Sequence, residues 1–194
     1  MGRQKSFLPY AGKTLIEHSL DLMQEVFSEV ILVTDCPENY EHLSAHIVRD
    51  IIPNRGPLVA ILSGLLVTTN EHSFVMPCDM PFVNKKLLRA ICEKRHESDL
   101  VVYAHENKME PLLGVYSRNC IQPLEETVFQ GRDLALDFIL HGNYKTFDYV
   151  SREFEPLPHF NVDTPADYGK LCGSSFQGAF ANTQSLGAPA SSRH

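Results

Sequence analysis

The sequence lacks the features of a membrane-spanning or secreted protein. None of its apolar runs approaches the roughly 18 residues that a helix needs to cross a bilayer. No long apolar core typical of a secretory signal stands near its beginning. The five cysteines are scattered, with no C-x-x-C pair, so neither a disulfide scaffold nor a structural zinc site is expected. These absences predict a reduced, cytoplasmic protein that does not contact a membrane.

Basic clusters and several well-known catalytic motifs are also missing. Lys and Arg number 17 against 24 Asp and Glu, which gives a net charge of −7. Because duplex-binding domains usually carry a basic face, we expect no nucleic-acid partner. The G-x-x-x-x-G-K-[ST] loop, the G-x-S-x-G elbow and a complete G-x-G-x-x-G are all absent. An acidic chain can still bind a polyphosphate when a divalent cation supplies the positive charge.

Short apolar runs alternate with helical periodicity along the chain. Thr14 to Glu17 has the form of a capping box and starts an amphipathic helix. The predicted helices cover 14–27, 38–45, 57–69, 84–95, 117–128, 131–141 and a last one that begins at Pro165 after a Thr164 cap. The predicted strands cover 30–33, 46–49, 74–76, 99–104, 111–116, 145–150 and one that ends at 160–163. This alternation predicts an α/β domain with a mostly parallel sheet.

The composition changes near the end of the chain. Residues 173–194 contain five Ser, four Ala and three Gly, no acidic residue and almost no aliphatic one. Such a segment cannot bury an apolar face. We therefore divide the sequence into a folded domain over 1–172 and a disordered, dispensable tail over 173–194.

Ligands of open α/β sheets bind outside the carboxyl ends of the strands. This rule selects 34–35, Asp50, Asp79 and 161–163, each of which follows a predicted strand. Carboxylates at such a mouth suit Mg²⁺, which often keeps substrate phosphates in its shell. Lys5 is the best-placed lysine for neutralising phosphate charge. Taken singly, an Asp after a strand is more often a turn or capping residue, and Gly56 before Pro57 can be plain turn chemistry.

Five strings, in order and with compatible spacing, carry a family resemblance. They are residues 1–5 with 12–17, Asp50 with 56–58, the PCDMPF string at 77–82, the EPL string at 110–112 with Gly114 and Tyr116, and NVDTP at 161–165. Together they resemble the molybdenum cofactor guanylyltransferases, and the PCDMPF string is the most specific of them. The resemblance implies the nucleotide-diphospho-sugar transferase type of fold, a three-layer α/β sandwich.

One departure from the family concerns its first strand. The family begins with a strand that leads into a glycine-rich LAGG loop around the nucleotide, and this sequence starts after both. The resemblance therefore implies that a central strand of the sheet is missing, together with backbone N–H donors to the triphosphate. We expect the chain as written to be a poor enzyme.

The resemblance implies transfer of GMP from GTP to molybdopterin, which yields the guanine dinucleotide form of the cofactor and pyrophosphate. It makes Lys5 and Asp79 catalytic, with Mg²⁺ held on Asp79, and it assigns Asp50 and Gly56 to nucleotide binding along with them. Asn161 and Asp163 would line the acceptor side. Protein partners would be those that deliver the cofactor or assemble molybdoenzymes.

Two other functions stay open at this point. A related nucleotidyltransferase could use CTP or a different acceptor, because nucleotide choice is set largely by the loop that this sequence lacks. An inactive homologue could bind cofactor or a partner enzyme without turnover.

Overall fold

The computed structural model describes residues 5–106, 108–132, 135, 138–139, 145–148 and 158–173. Its α-helices are α1 Leu15–Gln24, α2 Pro57–Val67, α3 Lys85–Glu93, α4 Ile121–Phe129 and α5 Pro165–Cys172. Its strands are β1 Pro9–Tyr10, β2 Lys13–Thr14, β3 Ile31–Thr34, β4 His46–Arg49, β5 His72–Val75, β6 Leu100–His105, β7 Lys108–Ser117 and β8 Lys145–Asp148. The α/β class predicted from the sequence is confirmed.

The main sheet has four strands in the order β5-β7-β6-β8. Strand β7 is antiparallel to both of its neighbours, whereas β6 and β8 are parallel. Strands β5, β6 and β8 therefore point the same way, and β7 alone is reversed. Strands β3 and β4 form a separate parallel pair, and β1 with β2 forms a small antiparallel hairpin.

Helices cover both faces of the main sheet. Leu100 and Val102 of β6 pack with α2 and α4 in one buried cluster. Val101 and Tyr103, the alternate residues of the same strand, pack with α3 in a second cluster. Because successive side chains of a strand point to opposite faces, this division defines a sheet between two helical layers. Between β6 and β7, Gly114 is required, since a Cβ there would lie 2.5 Å from the Val101 carbonyl oxygen.

A gap separates β3 from β5. Oε2 of Glu29, two residues before β3, accepts hydrogen bonds from the Thr68 hydroxyl (3.0 Å) and the Asn70 amide (2.6 Å), just before β5. The two strands thus begin at the same end and run side by side without pairing. A cavity of about 620 Å³ lies between them and reaches α1 and α2. This is where a central strand would fit, as the family resemblance implies.

The residues of β3 and β5 are only half-buried, in contrast to those of β6. All four residues of each strand are partly exposed, although most of them are apolar. Each strand is paired on one edge only, β3 with β4 and β5 with β7, in the described part of the chain. The gap therefore leaves two hydrogen-bonding edges and their apolar side chains open.

The predicted starts of the first and last helices are confirmed, whereas the helix predicted from residue 117 begins at Ile121, after a 3₁₀ turn at Arg118–Cys120. Three other predictions need correction. Thr14 and Thr164 both form capping boxes, with Glu17 and Asp167 respectively. Helix α1 ends at Gln24 rather than 27.

Residues 38–45 form a 3₁₀ turn at Pro37–Asn39 followed by bends, because Tyr40 is the only fully buried apolar anchor there. Residues 158–163 form a loop rather than a strand, and a hydrogen bond from Val162 N to Asp79 O (3.0 Å) joins this loop to the segment that follows β5. The predicted helix over 131–141 and the tail over 173–194 lie largely outside the described residues.

Candidate active site

Lys5 lies between two carboxylates at the carboxyl end of β5. Its Nζ is 2.6 Å from Oδ1 of Asp163 and 3.9 Å from Oδ2 of Asp79. The hydrogen bond to Asp163 is the main cause that raises the pKa of Lys5. Burial raises the pKa of Asp79, with the Lys5 charge opposing that effect and Asp163 adding to it. The fold thus brings together the predicted catalytic pair and one of the two predicted acceptor-side residues.

Local packing fixes each member of this group. The Ser6 hydroxyl is 2.8 Å from that of Tyr40, and the Phe7 ring stacks on Tyr40, so the turn that carries Lys5 is anchored beside β3. On the other side, Leu8, Phe82 and Val162 share one buried cluster. Each of the three charged residues is within three sequence positions of a member of this cluster: Lys5 of Leu8, Asp79 of Phe82 and Asp163 of Val162. The core therefore holds their backbones in place.

Asn161 presents an unsatisfied acceptor beside the group. Its Oδ1 is buried and has no hydrogen-bond partner in the described part of the chain. Leaving a buried polar atom unpaired costs about 1–3 kcal/mol. An amide oxygen in this state, two residues from Asp163, is suited to accept a hydrogen bond from a ligand.

Glu110 adds a third carboxylate that sequence reasoning did not assign. Burial is the main cause that raises its pKa, and the charges of Asp79 and Asp163 raise it further. It lies near the start of β7, opposite Tyr103 of β6. The EPL string was the signal that marked it, but the string alone gave it no role.

Asp50 and Gly56 form a second group, on the other side of β5. Asp50 follows β4, and its Oδ1 accepts a 3.4 Å hydrogen bond from the Ser63 hydroxyl. Burial, with the nearby Asp35 carboxylate adding to it, raises the pKa of Asp50 to about 6. Gly56 has φ +89° and caps α2, whose first residue is Pro57. A side chain at this φ would be strained.

The two groups are not directly bonded within the described ranges, and each has one residue, or an immediate neighbour of one, at the cavity between β3 and β5. Pro57, at the start of α2, and Asp79 both line it. Hydrogen bonds and ion pairs found among the described residues do not connect Asp50 with Lys5 or Asp79. A ligand long enough to span both groups would carry phosphates near Lys5 and a further part near Asp50.

The donor set suits a cation that shares its coordination with substrate phosphates. Asp79 and Asp163 already hold one cationic group between them, the Lys5 ammonium. Among the described residues, no group of three or more His, Cys, Asp or Glu side chains is arranged to hold a metal ion. Mg²⁺ is commonly bound by one or two carboxylates together with phosphate oxygens, and this site offers that arrangement.

None of the helices in the described segments is long and apolar enough to span a bilayer.

The fold is of the nucleotide-diphospho-sugar transferase type. The family model for the MobA-like NTP transferase domain matches residues 1–140. A probable molybdenum cofactor guanylyltransferase of Carboxydothermus hydrogenoformans is 32% identical over 179 residues, covering 88% of each chain. The chain belongs to the MobA-like NTP transferase family.

Solved structures agree with this fold. The molybdopterin-guanine dinucleotide biosynthesis protein A of Archaeoglobus fulgidus superposes with a TM-score of 0.77 at 23% identity, over 88% of this chain and 89% of its own. The 2-C-methyl-D-erythritol 4-phosphate cytidylyltransferase of Thermus thermophilus gives a TM-score of 0.64 at 16% identity, over 86% and 91%. One fold therefore accommodates relatives named for different nucleotides.

Proposed function

We propose that this protein transfers GMP from GTP to the phosphate of molybdopterin, with release of pyrophosphate. The observation that carries the proposal is the Lys5 ammonium held between Asp79 and Asp163 at the mouth of the sheet. The names of relatives at 32% identity support the choice of nucleotide and acceptor. The reduced cysteines are consistent with a reaction that takes place in the cytoplasm.

In this reaction an oxygen of the acceptor phosphate attacks the α-phosphorus of GTP, and the bond from that phosphorus to the bridging oxygen of pyrophosphate breaks. Two polyanions must meet, so catalysis depends on charge neutralisation and positioning. Lys5 would leave its carboxylate partners and bind phosphate oxygens. Asp79, with Asp163 beside it, would hold Mg²⁺, which supplies positive charge to the phosphates when bound.

The mechanism needs no covalent enzyme intermediate. Cys78 adjoins Asp79, but burial and the Asp79 charge raise the pKa of its thiol to about 12. A thiol in that state is not a nucleophile at neutral pH. Direct transfer between the two substrates is therefore the simpler course.

Asp50 and Gly56 would bind the nucleotide on the far side of the cavity. The carboxylate of Asp50 is an acceptor for N–H or O–H groups of the nucleotide. Gly56 has no side chain, which lets backbone approach a ligand at the start of α2, where N–H groups favour anions.

A CTP-dependent transferase is the second candidate, because a cytidylyltransferase shares this fold with a TM-score of 0.64. The test is release of pyrophosphate from GTP, CTP or UTP in the presence of molybdopterin and Mg²⁺. GTP-dependent release with formation of the guanine dinucleotide would support the proposal. Release from CTP alone would support the second candidate, and binding of molybdopterin with no release from any nucleotide would identify a non-catalytic homologue.

A further inference from the structure

Two imidazole rings lie on the acceptor side of the mouth, backed by a tyrosine. The rings of His105 and His159, called here the imidazole pair, have centroids 5.0 Å apart and an interplanar angle of 36°. The Tyr103 ring lies 5.8 Å from that of His159, and its hydroxyl is 3.4 Å from His159 Nδ1. Tyr103 is buried, whereas both imidazoles are partly exposed. The pair therefore presents ring surface to solvent on a fixed support.

The imidazole pair adjoins the candidate active site. His159 belongs to the loop that also carries Asn161 and Asp163. Tyr103 is the cross-strand partner of Glu110, and the charges of Asp79 and Asp163 raise the pKa of the Glu110 carboxyl. Tyr103 and Met80, the residue after Asp79, share one buried cluster. The pair thus continues the wall of the site along the end of β6.

The strand order places the pair opposite the nucleotide group. Strand β5 is at the edge of the main sheet, and the β3–β4 pair, which Asp50 follows, lies across the cavity from that edge. Strand β6 lies two positions into the sheet on the other side of β5. Phosphate held at Lys5 and Asp79 would therefore have the nucleotide on one side and the imidazole pair on the other.

The chemistry of the pair suits a flat, uncharged ring with polar edges. Burial lowers the pKa of His159, and the neighbouring His105 and Lys108 lower it further while Glu106 opposes them. A neutral imidazole offers an aromatic face for stacking and ring nitrogens for hydrogen bonds. Lys108 stands opposite His105 in the β6–β7 register and supplies charge at the rim.

We propose that the planar ring system of the acceptor lies against His105 and His159 while its phosphate reaches Lys5 and Asp79. The acceptor class is then a phosphomonoester carried by a flat, hydrogen-bonding heterocycle. This inference rests on the proposed function, which supplies a pterin phosphate as acceptor. The two histidines act as specificity determinants that bind the part of the acceptor remote from the reacting phosphorus.

Steady-state kinetics separate this role from a structural one. His105→Ala and His159→Ala should each raise the KM for the acceptor about tenfold, the loss expected for one ring-stacking contact, and leave the KM for GTP unchanged. Phe at either position should restore part of the acceptor affinity. The matched control is the second imidazole pair, His72 and His96, with centroids 5.3 Å apart at the amino-terminal end of β5. Alanine at those positions should change neither KM.

A binding measurement without nucleotide tests the inference independently of turnover. A fluorescent pterin that carries a phosphomonoester is titrated with the intact chain and with both alanine variants, after their melting temperatures are compared. Weaker binding by the variants, and not by the control pair, would support the inference even if no GMP transfer were found. Equal affinity in the wild type and both variants would overturn it, and GMP transfer with that result would leave the proposed function standing.

Discussion

Lys5 and Asp163 are separated by 158 positions in the sequence, yet Nζ of one and Oδ1 of the other are 2.6 Å apart. The bond joins the turn before β1 to the residue that precedes the cap of α5. Both side chains are more than a third exposed. Exposed ion pairs contribute only about 0–1 kcal/mol to stability. The arrangement is therefore more valuable for placing a cation at the mouth than for holding the fold together.

Replacing Lys5 should reduce transfer with little effect on stability. Lys5→Ala removes a preorganised charge from the phosphate site, for which a loss of about 10²–10³ in rate is typical. Its melting temperature should remain close to that of the wild type. The control is Lys13→Ala, which breaks a comparable exposed ion pair with Asp21. If both variants lose the same activity, Lys5 has no special role.

Removing the charge of Asp79 should remove the dependence on metal. Asp79→Asn keeps the size of the side chain but lacks the anionic oxygens that Mg²⁺ prefers. We expect transfer to fall to background at every Mg²⁺ concentration while the fold is retained, as judged by circular dichroism. Asp21→Asn serves as the control carboxylate. An Asp79→Asn enzyme with a normal response to Mg²⁺ would disprove the metal assignment.

Asp50 predicts a pH dependence of stability. Its pKa of about 6 in the folded state exceeds the ordinary 3.8, so the folded protein keeps a proton that the unfolded chain releases in this range. This group's contribution to stability is present below pH 3.8 and is lost as the pH rises through about 6. Asp50→Asn should abolish this component in a series of thermal melts across that range. An unchanged pH profile would show that Asp50 does not titrate as inferred.

Filling the gap between β3 and β5 should stabilise the protein. An amino-terminal extension that contains one apolar strand and a glycine-rich turn would pair with both open edges. The melting temperature should rise by about 2–4 °C for each kcal/mol gained, and GTP should bind more tightly. An extension of equal length with Gly and Ser in place of the strand residues is the control. Equal effects of the two extensions, or none from the apolar one, would refute a strand-binding gap.

Part of the site could be predicted from the sequence because it follows a simple rule. Asp50 directly follows β4 and Asp79 comes four residues after the end of β5, so the carboxyl-end rule selected both. The rule did not select Glu110 because β7 runs in the opposite direction, so that the amino-terminal residues of β7 lie at the mouth.

The imidazole pair could not be predicted from the sequence for another reason. His159 reaches His105 through a loop that was predicted to end a strand, and single-sequence patterns do not fix the path of a loop. The break between the β3–β4 pair and the main sheet was expected only from the family resemblance, since periodicity does not reveal strand order.

The gap between β3 and β5 also divides the molecule into two regions that differ in the free energy of local unfolding. No ladder of backbone hydrogen bonds crosses from β3 to β5 in the described residues. The β3–β4 pair is tied to the rest through side-chain packing on α1 and α2 and through side-chain hydrogen bonds such as those of Glu29 and Asp50. Two-stranded sheets are marginal by themselves. In hydrogen–deuterium exchange, the amides of β3 and β4 should therefore exchange through a local opening well before those of β6 and β7, which report global unfolding.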